Sequence, residues 1–140
     1  MARIKRIDHI ALIVQDMQGA LSLWQDTLGL DVSEIKDLPD EAAQVAFLPV
    51  GGSEVELVKP TTSDSGLAKY LEKYGPGMHH VCLEVDDIIG MLDQLKEQGI
   101  RLVDETPKTG DDGKMFAFIH PKATFGVLVE LYEYPRRVDE

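Results

Sequence analysis

One cysteine, Cys82, occurs in 140 residues. A lone cysteine excludes an intramolecular disulfide and points to a reducing compartment, with the cytoplasm as the expected location. It sits in the apolar run Val81-Cys82-Leu83, so it is expected to be a small buried hydrophobe rather than a nucleophile. Basic residues are also scarce: 14 Lys and Arg stand against 25 Asp and Glu, for a net charge of -11. Such a surface repels the phosphates of nucleic acid and an anionic bilayer alike, so neither is an expected partner. An anionic substrate would need a local basic patch. No apolar stretch approaches the roughly 20 residues of a membrane span. Met1 to Arg6 is basic, but Asp8-His9 comes too soon for a signal peptide.

The composition is otherwise that of a globular chain, 44% apolar and 28% charged, expected to form one domain or two small halves sharing a core. Those halves can be traced. A shift of 71 residues superposes His9 on His80, Leu12 on Leu83, Val14 on Val85, Asp16 on Asp87, Gly19 on Gly90 and Leu21 on Leu92. It also puts Ala46-Phe47-Leu48 on Ala117-Phe118-Ile119. Residues 1–140 are therefore expected to form a single domain of two copies of one unit, about 6–60 and 77–135.

Each unit is expected to be βαβββ. A strand over 7–14 matches one over 80–85. A helix follows each. The first is capped by Asp16, striped by Leu21, Trp24 and Leu28, and ended by Gly29. The second is capped by Asp86 or Asp87, striped by Ile88, Leu92 and Leu95, and ended by Gly99. Further strands are expected near 31–36, 43–49 and 54–58, and near 101–105, 115–119 and 127–133. Leu67, Tyr70, Leu71 and Tyr74 have helical spacing and make a short bridge between the units. The fold class is α+β: two modules building a curled, eight-stranded mixed sheet around a cleft.

Strand alternation puts His9, Ala11 and Ile13 on one face, and His80, Cys82 and Glu84 on the matching one. The apolar sets Ile10-Leu12-Val14 and Val81-Leu83-Val85 should pack on the helices. Each module also ends in an apolar strand with a glutamate inside it, Glu56 in Val55-Glu56-Leu57-Val58 and Glu130 in Val127-Leu128-Val129-Glu130-Leu131. A carboxylate in such a run is costly unless compensated. Two imidazoles and two carboxylates suit a divalent transition metal with open positions. His79 is an alternative to His80, although the repeat register pairs His80 with His9. Glu56 shares its strand face with Glu54, which leaves a solvated face as the other reading.

The doubled pattern, with Asp8-His9-Ile10 opening one half and His79-His80-Val81 the other, resembles the vicinal oxygen chelate superfamily over about residues 6–135. Within it, three stretches are similar to the methylmalonyl-CoA epimerase family. They are residues 64–71, residues 77–86, and His120-Pro121-Lys122 followed by residues 126–131. The resemblance implies that His9, Glu56, His80 and Glu130 are the metal ligands and that the ion is divalent, cobalt first, with zinc, nickel or manganese as other candidates. It implies epimerisation of an acyl-CoA substrate by C2 proton abstraction through an enolate, in a homodimer; Glu130 is the expected proton-transfer carboxylate, and Glu56 is expected to stand in for the second one by leaving the metal when substrate binds. Several members carry a glutamine where this chain has Glu56, and a second glutamate where it has Gln44 or Val45. The same four ligand types also occur in glyoxalase I, which isomerises a glutathione hemithioacetal. A small-molecule binding or resistance protein of the same fold is the non-enzymatic alternative. Lys59, Lys69, Lys108, Lys114 and Lys122 are the candidate phosphate contacts.

Overall fold

The structure is a computed structural model that describes residues 1–136. The elements run β1 (Ile4–Ile13), α1 (Met17–Leu21), β2 (Glu34–Leu38), β3 (Ala43–Val50), β4 (Ser53–Pro60), α2 (Gly66–Tyr74), β5 (Gly77–Val85), α3 (Ile88–Glu97), β6 (Lys108–Thr109), β7 (Met115–Ile119) and β8 (Val129–Glu133). The eight strands form one mixed sheet, in the order β2-β3-β4-β1-β5-β8-β7-β6, and the class is α+β. The described chain divides into two compact units, residues 9–79 and residues 1–8 with 80–136. The division falls inside β1 and β5.

In the unit 9–79, β1 pairs parallel with β4, and β4 and β2 flank β3 antiparallel. Leu12 and Val14 pack with Met17, Leu21, Trp24 and Leu57, as their alternation requires. The opposite face is not bare: Ala11, Ala43, Val45 and Val58 form a second cluster there, covered by Leu67 of α2. In the other unit, β5 pairs parallel with β8, and β7 lies antiparallel between β8 and β6. Val85, Ile88, Leu92, Ala117 and Leu131 make its core.

The repeat is kept at the helix starts. Asp16 accepts from the Gly19 amide and Asp87 from the Gly90 amide, both at 3.0 Å. A β-carbon on either glycine would collide with the cap carboxylate, which gives a steric reason for glycine at both places. Asp86 is not the cap. Its Oδ1 accepts from the Arg3 amide at 2.8 Å.

Two expected elements differ. The first helix is α-helical only to Leu21 and then widens into a π-helical turn, Ser22–Thr27. The Leu28 amide donates to the Leu23 carbonyl five residues back, at 2.8 Å. The wider turn takes Leu28 off the apolar stripe and leaves it exposed; Leu30 and Val32 fill the core in its place. The strand expected at 101–105 is reduced to one bridge, Leu102 to Ile119. The Asp104 side chain takes the Phe118 amide at 2.9 Å, where a neighbouring strand would have offered a carbonyl. Pairing with β7 resumes only at Lys108–Thr109.

Candidate active site

β1 and β4 place His9 and Glu56 on one face of their unit. The register sets Glu56 beside Ala11 and Glu54 beside His9, so all three polar side chains share the face carrying Val45 and Val58. His9 is 1% exposed. Its Nδ1 lies 3.2 Å from Glu56 Oε2. The apolar residues Ala11, Val45, Phe47 and Val58 share this face, and the Glu56 side chain keeps 16% of its exposure.

In the other unit the same arrangement recurs on β5 and β8. Cys82 lies opposite Glu130 and Glu84 opposite Tyr132, which puts His80, Cys82, Glu84, Glu130 and Tyr132 on one face. His80 Nε2 is 3.2 Å from Glu130 Oε1, and Glu130 is 6% exposed. Phe118, directly opposite Glu130, turns its ring edge-on to His80 at 5.9 Å between centroids. His79 goes elsewhere: it stands against the Tyr70 ring of α2 at 4.7 Å. Cys82 is fully buried. The structure therefore pairs His9 with Glu56, and His80 with Glu130.

The strand register also separates Gln44 from Val45. Val45 faces Val58, on the His9 side, whereas Gln44 faces Lys59 on the other. Of the two, the residue that shares the face of the His9–Glu56 pair is thus a valine, which carries no proton.

Sequence reading missed a polar network in the same unit as His80. Arg6 donates through Nε to Glu84 at 2.7 Å and through Nη2 to Asp8 at 2.9 Å. Lys5 reaches Glu84 at 3.3 Å, and the Tyr134 hydroxyl donates to Asp8. Asp8 and Glu84 are both buried. Burial disfavours the Arg6 charge, but the Glu84 hydrogen bond and the Asp8 and Glu84 charges outweigh it, so Arg6 holds its proton more tightly than usual. Burial, then the bond to Asp8 and its charge, push the Tyr134 hydroxyl well above its ordinary value. Glu84 had a visible signal, since it stands between Leu83 and Val85 much as Glu130 stands between Val129 and Leu131.

Among the candidate lysines, Lys108 pairs with Asp104 at 3.5 Å. Lys114 pairs with Asp112 at 3.5 Å and lies over the Tyr132 ring, 4.4 Å from its centroid. Lys59 borders a shallow hollow with Gln15, Thr62, Leu71 and Glu72. Among the described residues no helix is long and apolar enough to cross a membrane.

Residues 8–118 match the Glyoxalase/Bleomycin resistance protein/Dioxygenase superfamily, and the chain belongs to it. Within that superfamily several of its relatives bear a narrower name, and two at 27% identity are named probable lactoylglutathione lyase. The mitochondrial methylmalonyl-CoA epimerase of Mus musculus is 42% identical over 130 residues, 92% of this chain and 73% of the relative. The ethylmalonyl-CoA/methylmalonyl-CoA epimerase of Cereibacter sphaeroides is 40% identical over 130 residues, 91% of this chain and 97% of the relative. A solved structure of a methylmalonyl-CoA epimerase in complex with methylmalonyl-CoA and NH4+ superposes with a TM-score of 0.82, at 29% identity, covering 94% of this chain and 96% of that one.

Proposed function

We propose that this chain is a metal-dependent methylmalonyl-CoA epimerase in which His9, Glu56, His80 and Glu130 hold one divalent ion, cobalt first, with zinc, nickel or manganese as alternatives. The observation that carries the reading is the duplicated, largely buried His–Glu pair, at 3.2 Å in each unit. A buried carboxylate is costly without a positive partner. Two imidazoles and two carboxylates are a donor set that suits a first-row transition ion, so the residues fit such a group. The relatives supply the substrate class, an acyl-CoA.

The ion, when bound, polarises the substrate's carbonyl oxygens and so makes the C2 proton more acidic. The chain's own residues do the rest. Glu130 accepts the C2 proton and Glu56 returns one, because epimerisation needs a second group to deliver a proton to the face opposite the one that lost it. Val45 cannot share in this transfer. The apolar residues around His9 and Phe118 beside His80 keep water from protonating the enolate at random. The reading extends to a homodimer working in the cytoplasm, in keeping with one reduced, buried cysteine.

The test uses protein stripped with chelator and reloaded with cobalt. In deuterated water it should wash deuterium into C2 of methylmalonyl-CoA while interconverting the epimers, with about one ion per chain. Rapid turnover of the methylglyoxal–glutathione hemithioacetal without that exchange would assign the chain to glyoxalase I instead. A His9→Ala/His80→Ala variant that still held one ion tightly would refute the ligand set.

A further inference from the structure

We propose that the loop joining β7 to β8 is the subsite for the nucleotide end of the acyl-CoA, with Phe125 stacking on the adenine while Arg101 and Lys122 hold the phosphates. This inference rests on the acyl-CoA reading above. Phe125 is 99% exposed and has a φ of 61°. A left-handed backbone is costly for a residue with a β-carbon, and a fully exposed ring forgoes the stabilisation of burial. Both penalties fall on one residue.

The loop is not loose. The Ala123 amide donates to the His120 carbonyl at 2.9 Å, and the Gly126 amide to the Pro121 carbonyl at 2.7 Å. Thr124 Oγ1 donates to the Pro121 carbonyl at 3.2 Å and also contacts the Val127 carbonyl. Strain that the surroundings enforce in this way is found at ligand clamps.

Two cations bear on His120, at the start of the same loop. The Lys122 amide donates to His120 Nδ1 at 3.1 Å, and the His120 amide to the Arg101 carbonyl at 3.1 Å. Desolvation, then the charges of Arg101 and Lys122, hold the His120 imidazole below its usual value. With Nδ1 accepting, its proton is on Nε2, a further donor. The nearest acid in sequence to Arg101, Asp104, is engaged by Lys108 and the Phe118 amide.

Position fits as well. Ile119 and Val81 both lie opposite Val129, so the loop leaves the sheet at the end where His80 stands. The loop and the proposed thioester site at His80 and Glu130 thus lie toward the same strand end, within one unit. Base–aromatic stacking needs only a π-face. Arg grips phosphate through paired donors, and Lys acts as a point charge. On a chain of net charge -11, a highly anionic ligand needs such a patch.

The experiment compares KM for methylmalonyl-CoA with KM for methylmalonyl-pantetheine, which keeps the reacting end and lacks the nucleotide. Phe125→Ala, Phe125→Gly and Arg101→Ala/Lys122→Ala should each raise KM for the CoA thioester roughly 10-fold. KM for the pantetheine thioester should not follow. Added salt should raise KM for the CoA thioester more steeply in the parent than in the Arg101/Lys122 variant. The glycine variant takes the φ of 61° without strain, which guards against a misfolded loop. An unchanged KM for the CoA thioester, or equal rises for both substrates, overturns the subsite. Should the parent turn over neither thioester, the epimerase reading fails and titration with free CoA decides the subsite alone. Binding weakened by the variants would uphold it, and absence of binding would overturn it.

Discussion

Replacing Arg6 by methionine should expose how the acids of the His80-bearing unit are tolerated. The guanidinium lies 2.7 Å from Glu84 and 2.9 Å from Asp8. Both acids are buried. Methionine keeps much of the hydrophobic stem and removes the charge. Breaking one side of a buried ion pair costs about 3–5 kcal/mol, because the other charge stays behind in low dielectric. The Arg6 side chain is 41% exposed, so water already screens part of the interaction. Lys5 also remains near Glu84, and Tyr134 on Asp8. The expected loss is therefore about 2–4 kcal/mol, a large share of the ~5–15 kcal/mol that holds a domain together. For a chain of this size it corresponds to roughly 10 °C in Tm, which thermal melting followed by circular dichroism would measure. Adding Glu84→Gln should recover part of the loss, since one stranded charge is removed with its partner. A melting point for Arg6→Met within roughly 2–3 °C of the parent would mean that solvent, not Arg6, neutralises these acids.

Other consequences are as direct. Metal-saturated Glu130→Gln keeps the side chain's shape and one oxygen but loses the basic one, so turnover and C2 exchange should fall together by ~10²–10⁴; wild-type exchange would reduce Glu130 to a ligand. Phe125→Gly relieves the left-handed strain of ~1–2 kcal/mol and returns roughly half of that as unfolded-state entropy. The melting point should therefore rise by a few degrees, and a fall would show that the ring is buried in solution. Tyr134 carries a raised pKa, so the unfolded chain loses this proton first. Stability should be intact below about pH 10 and decline above it; Tyr134→Phe should flatten that alkaline decline, as read by urea unfolding at stepped pH.

Much of the candidate site was visible in the sequence because its signals are local. His9, Glu56, His80 and Glu130 each interrupt or open an apolar strand, and a period of two fixes the face of each. The repeat register matches His80, not His79, to His9; in the structure His80 lies against Glu130 and His79 against Tyr70. The misses have long-range or subtle causes. Leu28 keeps helical spacing with Leu21 and Trp24, so nothing in the pattern warns that the turn widens. Residues 101–105 have strand-like spacing, and no local signal shows that Asp104 will capture the Phe118 amide; only the folded chain brings the two together. Arg6 and Glu84 lie 78 residues apart, beyond any local rule. Whether Gln44 or Val45 sits by the pair needed the β3–β4 register.

The two halves are not perfectly in step. The shift that carries Asp16 onto Asp87 carries Glu56 onto Val127, whereas the paired glutamate is Glu130, three places later. An odd insertion within a strand would turn every following side chain to the wrong face. Here the connection absorbs it: β3 and β4 are joined across Gly51-Gly52, while nine residues separate β7 from β8. On the two proposals made above, chemistry and recognition thereby fall to different parts of the chain. The ladder holds the His–Glu geometry whatever the length of the connection, and the connection is free to vary in length and content without disturbing the ladder. The natural handle for re-targeting this scaffold is thus the 120–128 segment. A transplant there should alter which molecules are accepted and leave the proton chemistry in place, whereas a one-residue change inside β8 should abolish it.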